Sequence, residues 1–107
     1  MIATNIVLIL LAGGIGNRFN KNISKQMIYF NDETILEKNV INFKKYLKNI
    51  QIQIVSNKKD FLKVSEITKK LNILDPILGG AERQESVYNG LKAIKNLNPK
   101  YVLIHDT

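Results

Sequence analysis

Residues 6–12 (Ile-Val-Leu-Ile-Leu-Leu-Ala) are apolar without alternation, and the run stops at once in Gly13-Gly14-Ile15-Gly16. A strand with one wet face would alternate. A strand apolar at successive positions is buried on both faces, as a central strand of a helix-covered parallel sheet must be. Asn5 to Ala12 therefore reads as that strand. It is too short to cross a bilayer. No basic region precedes it and no small-residue cleavage site follows it, so no signal peptide is expected. A buried strand that delivers a glycine-rich turn brings backbone N–H groups to a phosphate. Glycine lets the main chain approach a ligand with no Cβ in the way. The polar loop over residues 13–27 is longer than an ordinary connection, which points to function. Among its basic residues Arg18 follows Gly16 by two positions and Lys25 stands seven further on, and the segment reads as a loop for a nucleotide triphosphate.

The rest of the chain predicts alternating elements. Met27-Ile28-Tyr29-Phe30 is a short extended piece closed by a turn at Asn31-Asp32. Thr34 begins a helix, with Glu37 three residues on in capping-box spacing. Ile35, Leu36, Val40, Phe43 and Leu47 form its buried stripe. Ile50 to Val55 is the second main strand. A helix over 59–71 follows, with Phe61, Leu62, Val64, Ile67 and Leu71 as its apolar set. Ile73 to Leu78 is extended, and Pro76 marks it as an edge strand. A third helix runs from about Gln84, its face built from Val87, Leu91 and Ile94. Tyr101 to Ile104 is a last strand, delivering His105-Asp106-Thr107.

The order β-α-β-α-β-α-β implies right-handed crossovers and a mainly parallel sheet with helices on both faces. Ligands of such sheets bind beyond the carboxyl ends of the strands. Segments 13–25, 79–86 and 105–106 all follow strand ends and are expected to converge in one crevice.

At 107 residues the chain is one domain at most. It has no Cys, hence no disulfide, thiolate metal site or Cys nucleophile, and its expected compartment is the cytoplasm. The net charge of +7 raises a nucleic-acid reading. Against it, the basic residues are nearly all scattered Lys, and the two Arg, Arg18 and Arg83, both stand near glycines. An anionic small substrate accounts better for that placement; neither a nucleic-acid nor a membrane partner is expected.

The glycine loop is not the dinucleotide fingerprint: Phe19 holds the third glycine's place, and Ser56-Asn57 stand where an acid would end the second strand. Nor is it a Walker A loop, since the Lys-Ser/Thr pair is absent. Lys25 also reads as a surface lysine, Gly79-Gly80 as breakers, and Arg83 and Glu85 as first-turn surface residues. Ser86, on a helix's first turn beside free backbone N–H groups, is suited to a phosphate oxygen and equally to starting the helix. Asp106 ends a strand with a carboxylate that could hold Mg²⁺ or a ribose hydroxyl. His105 reads as structural. No nucleophile-elbow pattern and no acid/base carboxylate pair is present.

Leu11-Ala12-Gly13-Gly14-Ile15-Gly16-Asn17-Arg18-Phe19, Lys25-Gln26, Gly79-Gly80-Ala81-Glu82-Arg83-Gln84-Glu85-Ser86-Val87-Tyr88-Asn89-Gly90-Leu91 and His105-Asp106 together resemble the 2-C-methyl-D-erythritol 4-phosphate cytidylyltransferases, enzymes of non-mevalonate isoprenoid synthesis. The resemblance implies a Rossmann-like nucleotidyltransferase, a three-layer α/β sandwich with a mainly parallel sheet. It implies CTP binding at Ala12, Gly13, Gly14, Gly16, Gly80, Arg83 and Ser86. Arg18 and Lys25 would stabilise the transition state as the sugar-alcohol phosphate attacks the α-phosphorus, with Asp106 beside the ribose and Mg²⁺. The full-length family is expected to be homodimeric. Ser24 stands where the family usually has Pro, Met27 where it has Tyr, and Thr107 where it has Ala. The family continues for about as long again, so residues 1–107 are expected to be its amino-terminal, CTP-binding part, truncated before the second half. Alternatives are a ribitol-5-phosphate cytidylyltransferase, a non-catalytic nucleotide-binding module and a basic nucleic-acid binder.

Overall fold

Val7, Ile9 and Leu11 project to one side of the first strand, and Leu8, Leu10 and Ala12 to the other; all are buried. This is what a seven-residue apolar run without alternation demands, and it places β1 (Ile6–Ala12) at the centre of the molecule. The computed structural model describes residues 5–13 and 24–107. After β1 come a single 3₁₀ turn (Lys25–Met27), β2 (Tyr29–Phe30), β3 (Glu33–Thr34), α1 (Ile35–Tyr46), β4 (Gln51–Ser56), α2 (Phe61–Leu71), β5 (Ile77–Leu78), α3 (Arg83–Ala93), a second 3₁₀ turn (Lys95–Leu97) and β6 (Tyr101–Asp106).

The main sheet has the order β5-β4-β1-β6 and is parallel throughout. Leu36 and Val40 of α1 and Val64 and Ile67 of α2 pack with Leu8, Leu10, Ile52 and Ile54 on one face. Val87 of α3 and Ile94 pack with Val7, Ile9 and Val55 on the other. Chain progress outward from β1 to β5 uses the first face, and the return across to β6 uses the second, as one crossover hand requires. The order therefore reverses between β1 and β6. At that switch point the connections leave in opposite directions and open a crevice.

Local signals place the smaller elements. Asn31 and Asp32 both have positive φ (54° and 70°), the two-residue turn that matches strand twist and joins β2 to β3 antiparallel. Thr34 caps α1. Its hydroxyl accepts from Glu37 N at 3.1 Å, and Glu37 Oε1 accepts from Thr34 N at 3.0 Å, completing the predicted capping box.

Four expectations need correction. Only Ile77–Leu78 of the predicted 73–78 strand joins the ladder. Leu62 is 80% exposed and does not belong to the buried face of α2. Leu91 is likewise exposed, and α3 instead meets the sheet through Gly90, where a Cβ would stand 2.9 Å from Ile9 Cγ2. The last strand extends through His105 and Asp106, which lie within the ladder with Leu10 and Leu11 as register partners.

Candidate nucleotide site at the carboxyl edge of the sheet

Four strand ends meet along one edge. Ala12 is in register with Ser56, Ser56 with Leu78, and Leu11 with Asp106. Beyond them the connections are tied together. Gly79 N donates to Ser56 O at 2.9 Å, and Thr107 N donates to Leu11 O at 3.0 Å. A Cβ on Gly13 would lie 3.4 Å from Asn57 N, so the start of the glycine loop runs against the end of β4.

The Gly79–Gly80 turn folds over the start of α3. Gly80 N donates to Ser86 Oγ at 3.1 Å. A Cβ on Gly79 would collide with Ser86 Oγ, and one on Gly80 with Glu85 Cβ. The turn thus needs glycine for close approach, and neither residue has positive φ. In this arrangement the Ser86 hydroxyl accepts from the loop while its own proton remains available to a ligand oxygen.

Arg83 and Asp106, remote in sequence, face each other across the gap between α3 and β6. Arg83 Nε donates to Asp106 Oδ1 and Nη2 to Oδ2, both at 3.2 Å. Both side chains are about 60% exposed, so the pair faces solvent at the crevice mouth. His105 points to the opposite face, its ring edge-on to Phe43 at 5.2 Å between centroids.

Lys25 is exposed on its 3₁₀ turn while Ser24, Gln26 and Met27 are buried. Gln26 Nε2 donates to Ala12 O at 2.7 Å, which holds this turn at the end of β1. Gly14, Gly16 and Arg18 lie outside the described residues. The structure therefore brings Ala12, Gly13, Lys25, Gly80, Arg83, Ser86 and Asp106 to a single edge. Among the described residues no cluster of three or more His, Cys, Asp or Glu could by itself hold a metal. A nucleotide-borne Mg²⁺ needs only one protein carboxylate beside phosphate oxygens, and Asp106, exposed and with lone pairs beyond those used by Arg83, is a carboxylate that could serve it.

Sequence reasoning missed one residue, Asp60, whose buried carboxylate joins the 3₁₀ turn to the β4–α2 connection. The signal was the Asn57-x-x-Asp60 spacing before α2, a side-chain-closed turn in which Asn57 Oδ1 accepts from Asp60 N at 2.7 Å.

A three-layer α/β sandwich with a parallel sheet and polar groups gathered at the switch point defines an α/β domain of the Rossmann-like class. The family model described as IspD, 2-C-methyl-D-erythritol 4-phosphate cytidylyltransferase, matches residues 6–107, and the chain belongs to that family. It is 40% identical over 104 residues to a bifunctional enzyme IspD/IspF of Pelagibacter ubique, covering 95% of this chain and 27% of the relative. It is 39% identical over 101 residues to a 2-C-methyl-D-erythritol 4-phosphate cytidylyltransferase of Clostridium botulinum strain Langeland, covering 92% and 44%. A protein of the same name from Wigglesworthia glossinidia brevipalpis is 42% identical over 106 residues, covering 94% and 43%. The chain thus spans less than half the length of these relatives. Among the described residues no helix is long and apolar enough to cross a membrane.

Proposed function

We propose that this chain is the CTP-binding part of an enzyme that transfers a cytidylyl group from CTP to 2-C-methyl-D-erythritol 4-phosphate. An acceptor phosphate oxygen attacks the α-phosphorus, the bond to the bridging oxygen breaks, and pyrophosphate leaves with that electron pair. Such a reaction needs positioning and charge neutralisation more than a nucleophilic side chain. The observation that carries the reading is the gathering of Gly13, Lys25, Gly80, Ser86 and the Arg83–Asp106 pair at one sheet edge, beside the switch point. In this reading the backbone from Ala12 to Gly16 and at Gly80 approaches the nucleotide. Ser86 donates to a ligand oxygen, and Arg18 and Lys25 take up the charge that develops on the phosphates. Mg²⁺, held with CTP at Asp106, would neutralise triphosphate charge. A homodimeric, cytoplasmic full-length enzyme completes the proposal and rests on the family resemblance.

Calorimetric titration with CTP and Mg²⁺, beside ATP and GTP and beside Arg18→Ala, tests this. CTP is expected to bind selectively and about tenfold more weakly to Arg18→Ala, the loss of one charged contact. Equal binding of all three nucleotides, or no CTP binding by a folded chain, overturns the reading.

A further inference from the structure

Asp60 begins α2, yet its carboxylate makes no capping bond to that helix. The carboxylate turns instead to a segment more than thirty residues away in sequence. Its Oδ2 accepts from Ser24 Oγ at 2.7 Å, from Asn57 Nδ2 at 3.1 Å and, at the long limit, from Gln26 Nε2 at 3.4 Å. Gln26 Nε2 also reaches Ala12 O. Ser24, Gln26 and Asp60 are all buried. A buried carboxylate is tolerable only with several donors, and these donors come from the 3₁₀ turn and from the β4–α2 connection.

The consequence falls on the residue between the two anchored ones. In a 3₁₀ turn successive side chains point about 120° apart. Ser24 and Gln26 bond inward, Met27 joins the apolar core, and Met27 N closes the turn on Ser24 O at 2.9 Å. Only Lys25 faces outward, beside the end of β1. We propose that Asp60 is a positioning residue, whose hydrogen bonds to Ser24 and Gln26 hold Lys25 at the mouth of the nucleotide site. The proposal rests on the CTP reading above. It also gives Ser24 a reason: the hydroxyl supplies the donor that a proline at this position could not.

Two measurements on the 107-residue chain test it. The first needs no nucleotide: trypsin cleavage after Lys25, followed by mass spectrometry, with cleavage after Lys70 as the internal reference. Asp60→Ala is expected to speed cleavage after Lys25 by about tenfold relative to the reference, and Asp60→Asn, which keeps an acceptor oxygen in place, by much less. The second compares affinity for CTP with Mg²⁺ against affinity for cytidine, in Asp60→Ala, Lys25→Ala and the double variant. CTP is expected to weaken about tenfold in each single variant and no further in the double, with cytidine unchanged, because Asp60 acts through Lys25. Unchanged cleavage after Lys25 in Asp60→Ala overturns the proposal. So does a loss for cytidine equal to that for CTP, or full additivity with Lys25→Ala, since both mark a merely structural role. A wild-type chain that binds no CTP refutes the functional reading instead, and the cleavage result then decides the anchoring by itself.

Discussion

Arg83 on the first turn of α3 grips both carboxylate oxygens of Asp106 at the end of β6, each at 3.2 Å. The two residues are 23 positions apart and belong to different layers, so the pair bridges the helix that carries Ser86 and the strand beside the switch point.

That pair is exposed, and exposed ion pairs contribute little to stability. Asp106→Asn is expected to change the unfolding free energy in urea by no more than about 0.5 kcal/mol. Its effect should appear in binding: the gain in CTP affinity on adding Mg²⁺ should shrink markedly. Large destabilisation with an unchanged Mg²⁺ effect would assign the pair a structural role.

Gly90 is where α3 lies closest to the sheet. A methyl group there would sit 2.9 Å from Ile9 Cγ2 and 3.2 Å from Val55 Cγ2, against two fully packed β-branched side chains that cannot swing away. In an exposed helix Gly→Ala stabilises by roughly 0.5–1 kcal/mol. Here overpacking, typically 1–3 kcal/mol, exceeds that gain, and Gly90→Ala is expected to destabilise by about 1 kcal/mol net. Thermal or urea unfolding of the variant measures it; stabilisation would show that the helix can lift off the sheet freely.

Glu37 sets an acid limit on stability. Burial acts to raise its pKa, but the Thr34 N–H, the Lys70 ammonium and the Thr34 hydroxyl outweigh burial and bring it below 4.5. Lys70 Nζ stands 2.9 Å from Glu37 Oε2 and links α2 to α1. The pKa of Lys70 is correspondingly raised above 10.5, chiefly by its hydrogen bond to Glu37. A lowered carboxylate pKa contributes stability above the unfolded value and loses it as the pH falls through the folded one. The pair's contribution should thus be flat from pH 4.5 up to 10.5 and disappear progressively below 4.5. Glu37→Gln should cost about 1–2 kcal/mol at pH 7 and lose less than the wild type on acidification. A constant difference between the two proteins from pH 7 to pH 3 would contradict this.

Gly80→Ala tests the turn over α3. Its Cβ would run into Glu85 Cβ on the helix, so the turn must move and the Gly80–Ser86 hydrogen bond must break. CTP affinity is expected to fall at least about tenfold, the cost of one lost positioning contact, with sheet stability nearly unchanged because Gly80 is exposed. Wild-type CTP affinity would remove this turn from the site.

Local rules wrote much of this architecture into the chain. The unbroken apolar run of β1, the capping box at Thr34 and Glu37, the Asn31-Asp32 turn and the glycines after strand ends each act over a few residues, so each could be read without coordinates. From those elements the α/β alternation followed, and with it the carboxyl edge as the place for a site. Tertiary structure decided whatever depends on partners distant in sequence. Leu62 and Leu91 have the right spacing to be buried, but the sheet does not reach them; Gly90, which carries no apolar side chain, is buried because closeness rather than hydrophobicity is selected there. The grip of Arg83 on Asp106, and the hold of Asp60 on Ser24 across 36 positions, exist only once strand order and crossover faces bring those segments together. A hydrogen bond between distant side chains leaves no periodic trace in a sequence, because its energy depends on a distance that the whole fold must first set.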